Sequence, residues 1–344
     1  MKKRSHLFFL LVVGLAALLT FYKIPLASSQ GLSLNATWIE GELPLSDPAS
    51  ELWGQATALE VPLSAQNVTK PMLLETKIRS VTARSLQNDS QVAVQVEWAD
   101  ETQDANPVPV QDFRDAVALQ FPLAEGQPYF CMGQQGGNVN IWHWKADWQA
   151  DLNARQDMET TYPDMYVDEY TFADPAKGIS AGVGDYTDPN YVTALAAGNL
   201  YASPVYLSPV EDLIAGGFGS LTAQTAEAQN VQGSGSWSDG KWRVIFSRDL
   251  QSQEAEDVTF APGKSYSLAF AVWDGANQER NGQKSTSQWV TLHLKSGPAP
   301  APAAEGQAET RPAWLITRNI SIGLFVTLAV LVLIGSLIYI RLPE

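Results

Sequence analysis

Alternation of apolar and polar residues along the middle of the chain predicts a series of β-strands. Residues 91–98, QVAVQVEW, alternate without a break. Successive side chains of a strand point to opposite sides, so this segment presents one apolar face, formed by Val92, Val94, Val96 and Trp98. Comparable patterns predict strands in residues 72–81, 116–121, 138–144, 241–246, 265–273 and 288–294. In the pattern at 138–144, Val139, Ile141 and His143 share one face, and Asn140, Trp142 and Trp144 share the other.

Turn signals separate these segments and favour an all-β fold. Asp239-Gly240 lies between Trp237 and Trp242 and predicts a tight β-hairpin. Residues 147–201 carry scattered Gly, Asp, Pro and Tyr, and a long irregular stretch of this kind is typical of a functional loop or a lid over a site. The spacing of the strands favours an antiparallel β-sandwich with long loop insertions and only minor helix.

Both ends of the chain are apolar and predict membrane-related segments. Three basic residues precede an uncharged run, so residues 1–29 are interpreted as a signal peptide or a signal anchor. Residues 319–341 are long enough for a C-terminal transmembrane helix, with a buried core helix as the alternative. A Pro/Ala-rich linker at 297–318 then joins this helix to a globular domain at 35–296. Because the basic N-terminus stays cytoplasmic, we expect the domain outside the cytoplasmic membrane.

Composition narrows the classes of function. The chain has 344 residues and a formal net charge of −15, which excludes a nucleic-acid binder because phosphate recognition needs clusters of Lys and Arg. Cys131 is the single cysteine, so neither an internal disulfide nor covalent haem attachment through Cys-x-x-Cys-His is possible. The sequence contains no nucleotide-binding loop, serine-hydrolase elbow or His-Glu-x-x-His motif. We therefore expect no catalytic residue in this chain.

Candidate metal ligands concentrate in residues 128–151, PYFCMGQQGGNVNIWHWKADWQAD. Met132, His143 and Lys145 bring a thioether, an imidazole and an amine close together in sequence, and Met and His are common axial ligands of haem iron. The alternative interpretation is an aromatic-rich strand and turn of a β core in which Met132 fills space. Residue types alone leave both interpretations open.

Five segments carry a resemblance to a known family. In chain order they are DAVALQFPL (115–123), PYFCMG (128–133), VNIWHWKADWQ (139–149), DGKWRVIFSRDL (239–250) and FAVWDGANQERNGQKSTSQWVTL (270–292). Together they resemble the haem-binding γ subunit of ethylbenzene dehydrogenase and its relatives, over about residues 47–294. Those relatives serve molybdenum enzymes of the dimethyl-sulfoxide-reductase type. The resemblance implies a β-sandwich that holds one non-covalent haem b and transfers electrons rather than catalysing a reaction.

The resemblance also implies the two axial ligands of the haem iron. The axial Met of the family corresponds to Met132, and the axial Lys corresponds to Lys284 in Asn-Gly-Gln-Lys-Ser. An exposed turn lysine is the alternative for Lys284. The rival lysines are Lys145, Lys177 and Lys241, and His143 is a rival axial ligand of a different type.

Further side chains are candidates for the pocket around the haem. Four tryptophans are candidates for its walls, with core packing as the alternative for each: Trp142, Trp144, Trp273 and Trp289. Arg248 or Arg280 is a candidate partner for a haem propionate.

Two functions of different classes remain open at the level of sequence. The first is a membrane-anchored haem b subunit that passes electrons between the iron–sulfur and molybdopterin subunits of an extracytoplasmic complex and a membrane or periplasmic carrier. The predicted stalk and span distinguish this chain from the soluble members of the family. The second is a haem-free carbohydrate-binding β-sandwich on the cell surface, which exposed tryptophans would favour.

Overall fold

The computed structural model describes residues 31–124, 132–164, 194, 197–203 and 206–297. These residues form thirteen strands, which are β1 Ser33–Trp38, β2 Leu59–Ala65, β3 Ser80–Gln87, β4 Gln91–Ala99, β5 Ala116–Pro122, β6 Val139–Lys145, β7 Val210–Ala215, β8 Thr222–Ala223, β9 Gln232–Ser238, β10 Lys241–Asp249, β11 Ser265–Trp273, β12 Ser285–Ser287 and β13 Val290–His293. Two short α-helices follow β6: α1 Ala146–Asp151 and α2 Met158–Thr161. Three 3₁₀-helices span Glu51–Gln55, Leu200–Ala202 and Ala226–Ala228.

The strands form one continuous sheet that folds back on itself into two layers. Layer one contains β9, β10, β4, β3 and β2, and layer two contains β8, β7, β6, β5, β11 and β12. The pairing of β2 with β12 joins the layers, and β1 makes parallel pairs with β3 and β13. The mostly antiparallel, two-layered arrangement is consistent with the predicted β-sandwich.

The core lies between the layers and follows the predicted alternation. Val94 and Val96 of β4 share one buried cluster with Leu119 of β5 and Trp142 of β6. Trp144 of β6 packs edge-on against Trp242 of β10, with ring centroids 4.9 Å apart, so side chains of opposite layers are in contact. Val139 and Ile141 belong to a separate cluster on the outer face of layer two, as the alternation in residues 138–144 predicted.

The predicted strand at 72–81 is wrong for most of its length. The structure begins β3 at Ser80, and the preceding residues form a loop in which Leu74 is 91% exposed. Periodicity alone cannot distinguish a strand from an extended loop, because a strand also needs a neighbour to pair with. The other six predicted strands are confirmed, with ends that differ by no more than a few residues.

The predicted hairpin at Asp239-Gly240 is confirmed. Trp237 pairs with Trp242 across β9 and β10, and both turn residues have positive φ, 53° for Asp239 and 68° for Gly240. Positive φ at both central residues defines a type I′ turn, which matches the twist of the flanking strands.

Several predictions concern residues outside the described ones. They include the signal segment at 1–29, nearly all of the linker at 297–318, the transmembrane segment at 319–341 and most of the irregular stretch at 147–201. Across the described part of the chain, no helix has the length and apolar character needed to cross a membrane.

Candidate functional site

A large cavity opens on the outer face of layer two, away from the core between the layers. Its volume is about 810 Å³. The floor is formed by alternate residues of four neighbouring strands: Ala116, Ala118 and Gln120 of β5, Ala269, Ala271 and Trp273 of β11, Ile141 and His143 of β6, and Leu213 of β7. Four of these nine floor residues are alanines, whose small side chains leave room above the sheet.

The register of the strands places the small residues next to one another. Ala271 lies opposite Ala118, which lies opposite His143, and this forms one row across the sheet. In the adjacent row Gln120 lies between Ala269 and Ile141. The floor is therefore mostly apolar, with one imidazole and one amide group.

Met132 and Lys284 meet over this floor. The Nζ atom of Lys284 lies 3.4 Å from the Sδ atom of Met132, although the two residues are 152 positions apart in the sequence. Both side chains line the cavity and are partly buried. The structure thus brings together the two residues that the family resemblance indicated.

The backbone around Met132 is held tightly against layer two. The Met132 carbonyl accepts a hydrogen bond of 2.8 Å from the amide of Gly217, just after β7. Gly133 has a φ of +74°, and a Cβ atom there would lie 2.7 Å from the carbonyl oxygen of Ala215. Only glycine fits both the conformation and the close approach, so Met132 enters the cavity from a fixed position beside β7.

Gln66 and Trp273 hold the turn before Lys284. The sequence alone did not indicate that these two side chains act together. Gln66 is buried, and its Nε2 donates to the Gly282 carbonyl at 2.7 Å, while its backbone amide donates to the Lys284 carbonyl at 2.9 Å. Trp273 donates from Nε1 to the Asn281 carbonyl at 3.1 Å, and Lys284 Nζ lies 4.9 Å from the centroid of the Trp273 ring. Lys284 therefore enters from the β12 side, opposite Met132.

His143 lies on the same floor and is the third candidate ligand in the cavity. Its ring lies against Trp273, tilted by 31° with centroids 4.8 Å apart, and its Nε2 atom is buried without a hydrogen-bond partner among the described residues. Burial lowers the pKa of His143 well below 6.5, and the positive charges of Lys145, Arg114 and Lys284 lower it further. The imidazole is therefore neutral at physiological pH, and it can accept or donate a hydrogen bond or bind a metal.

The rival lysines within the described residues lie elsewhere. Lys145 is buried beside the cavity, forms an ion pair with Glu211 and lies 3.8 Å from the centroid of the Trp148 ring. Burial lowers the pKa of Lys145 to about 8, although the charge of Glu211 opposes this shift. Lys241 pairs with Glu97 on layer one, and Lys177 lies outside the described residues. Neither Lys145 nor Lys241 lines the cavity.

The candidate wall residues divide between the two faces of the sheet. Trp142 and Trp144 belong to the core between the layers, so the alternative of core packing is confirmed for both, because their positions in β6 point them away from the cavity. Trp273 and Trp289 both line the cavity. Arg280 also lines it, whereas Arg248 is buried between the layers, 3.3 Å from Asp257. Arg248 is therefore not available to the cavity.

The cavity is basic although the chain is acidic. Among the described residues, its lining contains four basic side chains, Lys70, Arg114, Arg280 and Lys284, and one acidic side chain, Glu279, while Arg114 is paired with Asp147 beside the cavity. Burial raises the pKa of Glu279 to about 7, so even this group is only partly charged near neutral pH. In a chain of net charge −15, such a lining provides a local positive potential that suits an anionic ligand.

Asp100, Asp115 and Asp274 form a buried cluster of carboxylates beside the site. Hydrogen bonds to Asp115 connect the start of β5 to neighbouring loops and strands. Asp115 precedes β5 and accepts hydrogen bonds from the amides of Asp104 and Gly275 and from Nε1 of Trp242. Burial raises its pKa to about 7, and the nearby charge of Asp100 contributes. These bonds tie the start of β5 to the turn after β11, which carries the chain toward Lys284.

Comparison with known proteins yields one family and several relatives. The family model described as ethylbenzene dehydrogenase matches residues 50–285. The "Putative respiratory nitrate reductase heme subunit ORF7" of Haloferax mediterranei is 28% identical over 254 residues, covering 74% of this chain and 69% of the relative. The chlorate reductase subunit gamma of Ideonella dechloratans is 22% identical, covering 72% of this chain and 80% of the relative. The dimethylsulfide dehydrogenase subunit gamma of Rhodovulum sulfidophilum is 26% identical, covering 61% of this chain and 58% of the relative.

Solved structures show only distant likeness. A family 9 carbohydrate-binding module from Caldicellulosiruptor kristjanssonii, in complex with cellotriose, aligns with a TM-score of 0.35 and 6% identity. The alignment covers 81% of this chain and all of that module. A TM-score this low carries no argument about ligand or function.

Proposed function

Because the chain belongs to the ethylbenzene dehydrogenase family, we propose that it is a haem b electron-transfer subunit of a molybdenum-enzyme respiratory complex. The observation that carries this proposal is the approach of Lys284 Nζ to within 3.4 Å of Met132 Sδ over an apolar floor. The named relatives support it, since one is a nitrate reductase haem subunit by name and two are gamma subunits of chlorate reductase and dimethylsulfide dehydrogenase.

The residues of the cavity fit a haem in size, donors and charge. A volume of about 810 Å³ is in the upper part of the range of roughly 300–1,000 Å³ that is typical of ligand pockets. The thioether of Met132 and the amine of Lys284, 3.4 Å apart, are donors that would hold the haem iron.

The charge of the cavity also suits the carboxylates of a haem. Lys70, Arg114 and Arg280 line the cavity in addition to Lys284. Arg280 is exposed at the rim and packs over Phe113, with 4.6 Å from its guanidinium carbon to the ring centroid. We propose that Arg280 pairs with a propionate, as a planar guanidinium is well suited to bind a carboxylate.

The haem supplies one-electron redox chemistry when it is bound, and the chain supplies its environment. Met132 and Lys284 are proposed to occupy both axial positions, which keeps small molecules away from the iron. Lysine ligates only as the neutral amine, so Lys284 would give up its proton when it binds the iron. His143 is kept as a rival ligand, because its neutral imidazole lines the same cavity.

The complex and its location are part of the proposal. We propose catalytic molybdopterin and iron–sulfur subunits as partners, with electrons passing onward to a membrane or periplasmic carrier. The predicted apolar segments at both ends of the sequence motivate an extracytoplasmic domain anchored in the cell membrane. Protease added to right-side-out spheroplasts should remove the domain, and digestion only after lysis would contradict this location.

No observation favours the carbohydrate-binding alternative. Exposed tryptophan faces would favour a sugar-binding module, and none of the tryptophans within the described residues is among the exposed large hydrophobic side chains, although Tyr162, Tyr201 and Phe218 are. The basic lining of the cavity likewise suits an anionic ligand rather than a neutral sugar.

An absorption spectrum of the full-length chain, purified from a haem-replete host, tests the function. We expect a Soret band and a low-spin, six-coordinate oxidised spectrum, with haem that acid acetone extracts. Met132→Ala and Lys284→Ala should each release one axial position and produce high-spin character. Losing the thioether should also lower the reduction potential, because the Met sulfur favours Fe(II).

Two matched variants control for the loss of a side chain. Lys241→Ala and Met158→Ala remove a lysine and a methionine that do not line the cavity, and both should leave the spectrum unchanged. A wild-type chain without a Soret band would contradict the function. A low-spin spectrum that survives Lys284→Ala but is lost in His143→Ala would replace the lysine with the histidine.

A further inference from the structure

Gln120 on the outer face of β5 has an unpaired donor that faces the cavity. Its side chain is 7% exposed and lines the cavity, and its Nε2 atom has no hydrogen-bond partner among the described residues. An amide N–H group that is buried without an acceptor loses its hydrogen bonds to water and forms none within the protein. Such unpaired buried donors are rare in folded proteins. The acceptor for Gln120 is therefore expected to belong to the ligand of the cavity.

Among the described residues, the nearest side chains of the floor offer Gln120 no acceptor. On the sheet it lies between Ala269 of β11 and Ile141 of β6, whose side chains are apolar. On its own strand the next residue on the same face is Ala118. A leucine in this position would complete an apolar floor, so the amide group is chemically distinct from everything adjacent to it.

The charge of the lining indicates what kind of acceptor the ligand brings. Lys284 is neutral as the proposed ligand, and Arg114 is paired with Asp147. Lys70 and Arg280 remain as basic side chains of the described lining, beside the partly protonated Glu279, so the local potential favours a negatively charged oxygen. Hydrogen bonds to a charged acceptor are also stronger than bonds to a neutral one. A haem carries two such groups, its propionate carboxylates, at one edge of an otherwise apolar macrocycle.

On the basis of the proposed function, we propose that Gln120 Nε2 donates a hydrogen bond to one propionate carboxylate of the bound haem. Gln120 is then a specificity-determining residue, since it fixes which edge of the macrocycle faces the β5 floor. The second propionate is left for the basic side chains at the rim, such as Arg280.

The test compares haem with its dimethyl ester in the full-length chain. The ester retains the iron, the ring and the vinyl groups, but it lacks the negative charges. Haem-free protein is titrated with each compound, and binding is followed by the Soret band. In the wild type we expect clearly tighter binding of haem than of the ester. Gln120→Leu should reduce this preference about tenfold, because a hydrogen bond to a charged group is lost, and should leave the affinity for the ester within about twofold.

Two further variants make the result decisive. Gln120→Met has a similar size and no donor, and it should behave like Gln120→Leu. Gln95→Leu removes a buried glutamine from the outer face of layer one, where Nε2 donates to the Pro48 carbonyl at 2.8 Å, and it should keep the wild-type preference for haem. In both Gln120 variants the spectrum should stay low-spin, because the axial ligands are intact.

The outcomes separate this inference from the proposed function. A wild-type chain that binds neither compound contradicts the function itself. A wild-type chain that binds haem, with Gln120 variants that lose haem and ester equally or lose neither, overturns the role of Gln120 and leaves the function standing. Loss of all binding in both variants would show that Gln120 supports the fold rather than a carboxylate.

Discussion

The outer faces of the two layers differ in how the space above their small side chains is filled. On layer one, the chain after β1 folds back over the sheet, and Trp53 of the first 3₁₀-helix fills the space above Ala93 and Ile245. On layer two, alanines form the floor and loops form the rim, so a cavity of about 810 Å³ remains. Within the described residues, a tryptophan fills the space above the small residues of layer one, whereas the large side chains on layer two line the cavity without filling it.

The polar groups of the two faces differ in the same way. Gln95 on layer one is buried and donates to the Pro48 carbonyl at 2.8 Å, within the segment that covers the face. Gln120 and His143 on layer two are directed at the cavity and have unpaired nitrogen atoms. A face that is complete without a ligand satisfies its own polar groups, whereas a ligand-binding face leaves some of them to the ligand.

Removing the tryptophan from each face is expected to have the largest effect. Trp53→Ala should lower the free energy of unfolding by about 3–5 kcal/mol, because it leaves a void in a closed face, and the haem spectrum should not change. Trp273→Ala should destabilise the haem-free chain by less, since this ring already borders the cavity, but it should disturb the low-spin spectrum through Lys284. Urea unfolding and absorption spectra check both. Equal destabilisation with unchanged spectra would contradict the comparison.

Enlarging an alanine on each face is the next largest test. Ala118→Phe should fill the cavity floor and weaken haem binding by about 100-fold or more, equivalent to about 3 kcal/mol, with little loss of stability. Ala93→Phe, beneath Trp53, should instead cost about 1–3 kcal/mol of stability through overpacking and leave haem affinity unchanged. Soret titration and chemical unfolding measure the two effects. If Ala118→Phe bound haem normally, the floor would not be the binding surface.

The core between the layers supplies a pH-dependent test. Burial raises the pKa of Asp212 to about 8, and the neighbouring charge of Asp257 contributes. The folded state therefore keeps a proton that the unfolded state loses near pH 4. The stability from this group is present below that pH and is lost as the pH rises toward 8. Its slope is about 1.4 kcal/mol per pH unit.

Asp212→Asn imitates the protonated carboxyl and should remove this slope. Urea unfolding at pH 5, 6 and 7 should show a flatter dependence in the variant than in the wild type, with haem affinity unchanged. The exposed Asp249→Asn is the matched control and should keep the wild-type slope. An unchanged slope in Asp212→Asn would mean that this carboxyl is ionised in the folded chain throughout the range.

Gln95 and Gln120, one on each outer face, provide the test with the smallest expected effect. Gln95→Leu should cost about 1 kcal/mol of stability, because the Pro48 carbonyl loses its donor. Gln120→Leu should leave the haem-free chain equally stable or more stable by up to about 1 kcal/mol, because an unpaired buried donor is removed. Thermal melts of haem-free protein measure the difference. A clear destabilisation by Gln120→Leu would show that its amide is bonded within the protein.

The sequence by itself determined six of the thirteen strands in the described part of the chain and, for β4 and β6, which residues share each face. Alternation is a local property, so the two faces of β4 and β6 and the Asp239-Gly240 hairpin could be predicted without any knowledge of their neighbours. The resemblance of five short segments also indicated the family and named Met132 and Lys284, as their order along the chain is itself sequence information.

Only the tertiary structure decided which of these residues meet. The contact between Met132 and Lys284 depends on the pairing of β5 with β11 and β6, and of β12 with β2, all of which join distant parts of the chain. The same pairings place Trp142 in the core and Trp273 in the cavity, although both are tryptophans in alternating strands. The roles of Gln66 and Gln120 had no local signal, because a buried amide is defined by what surrounds it in space.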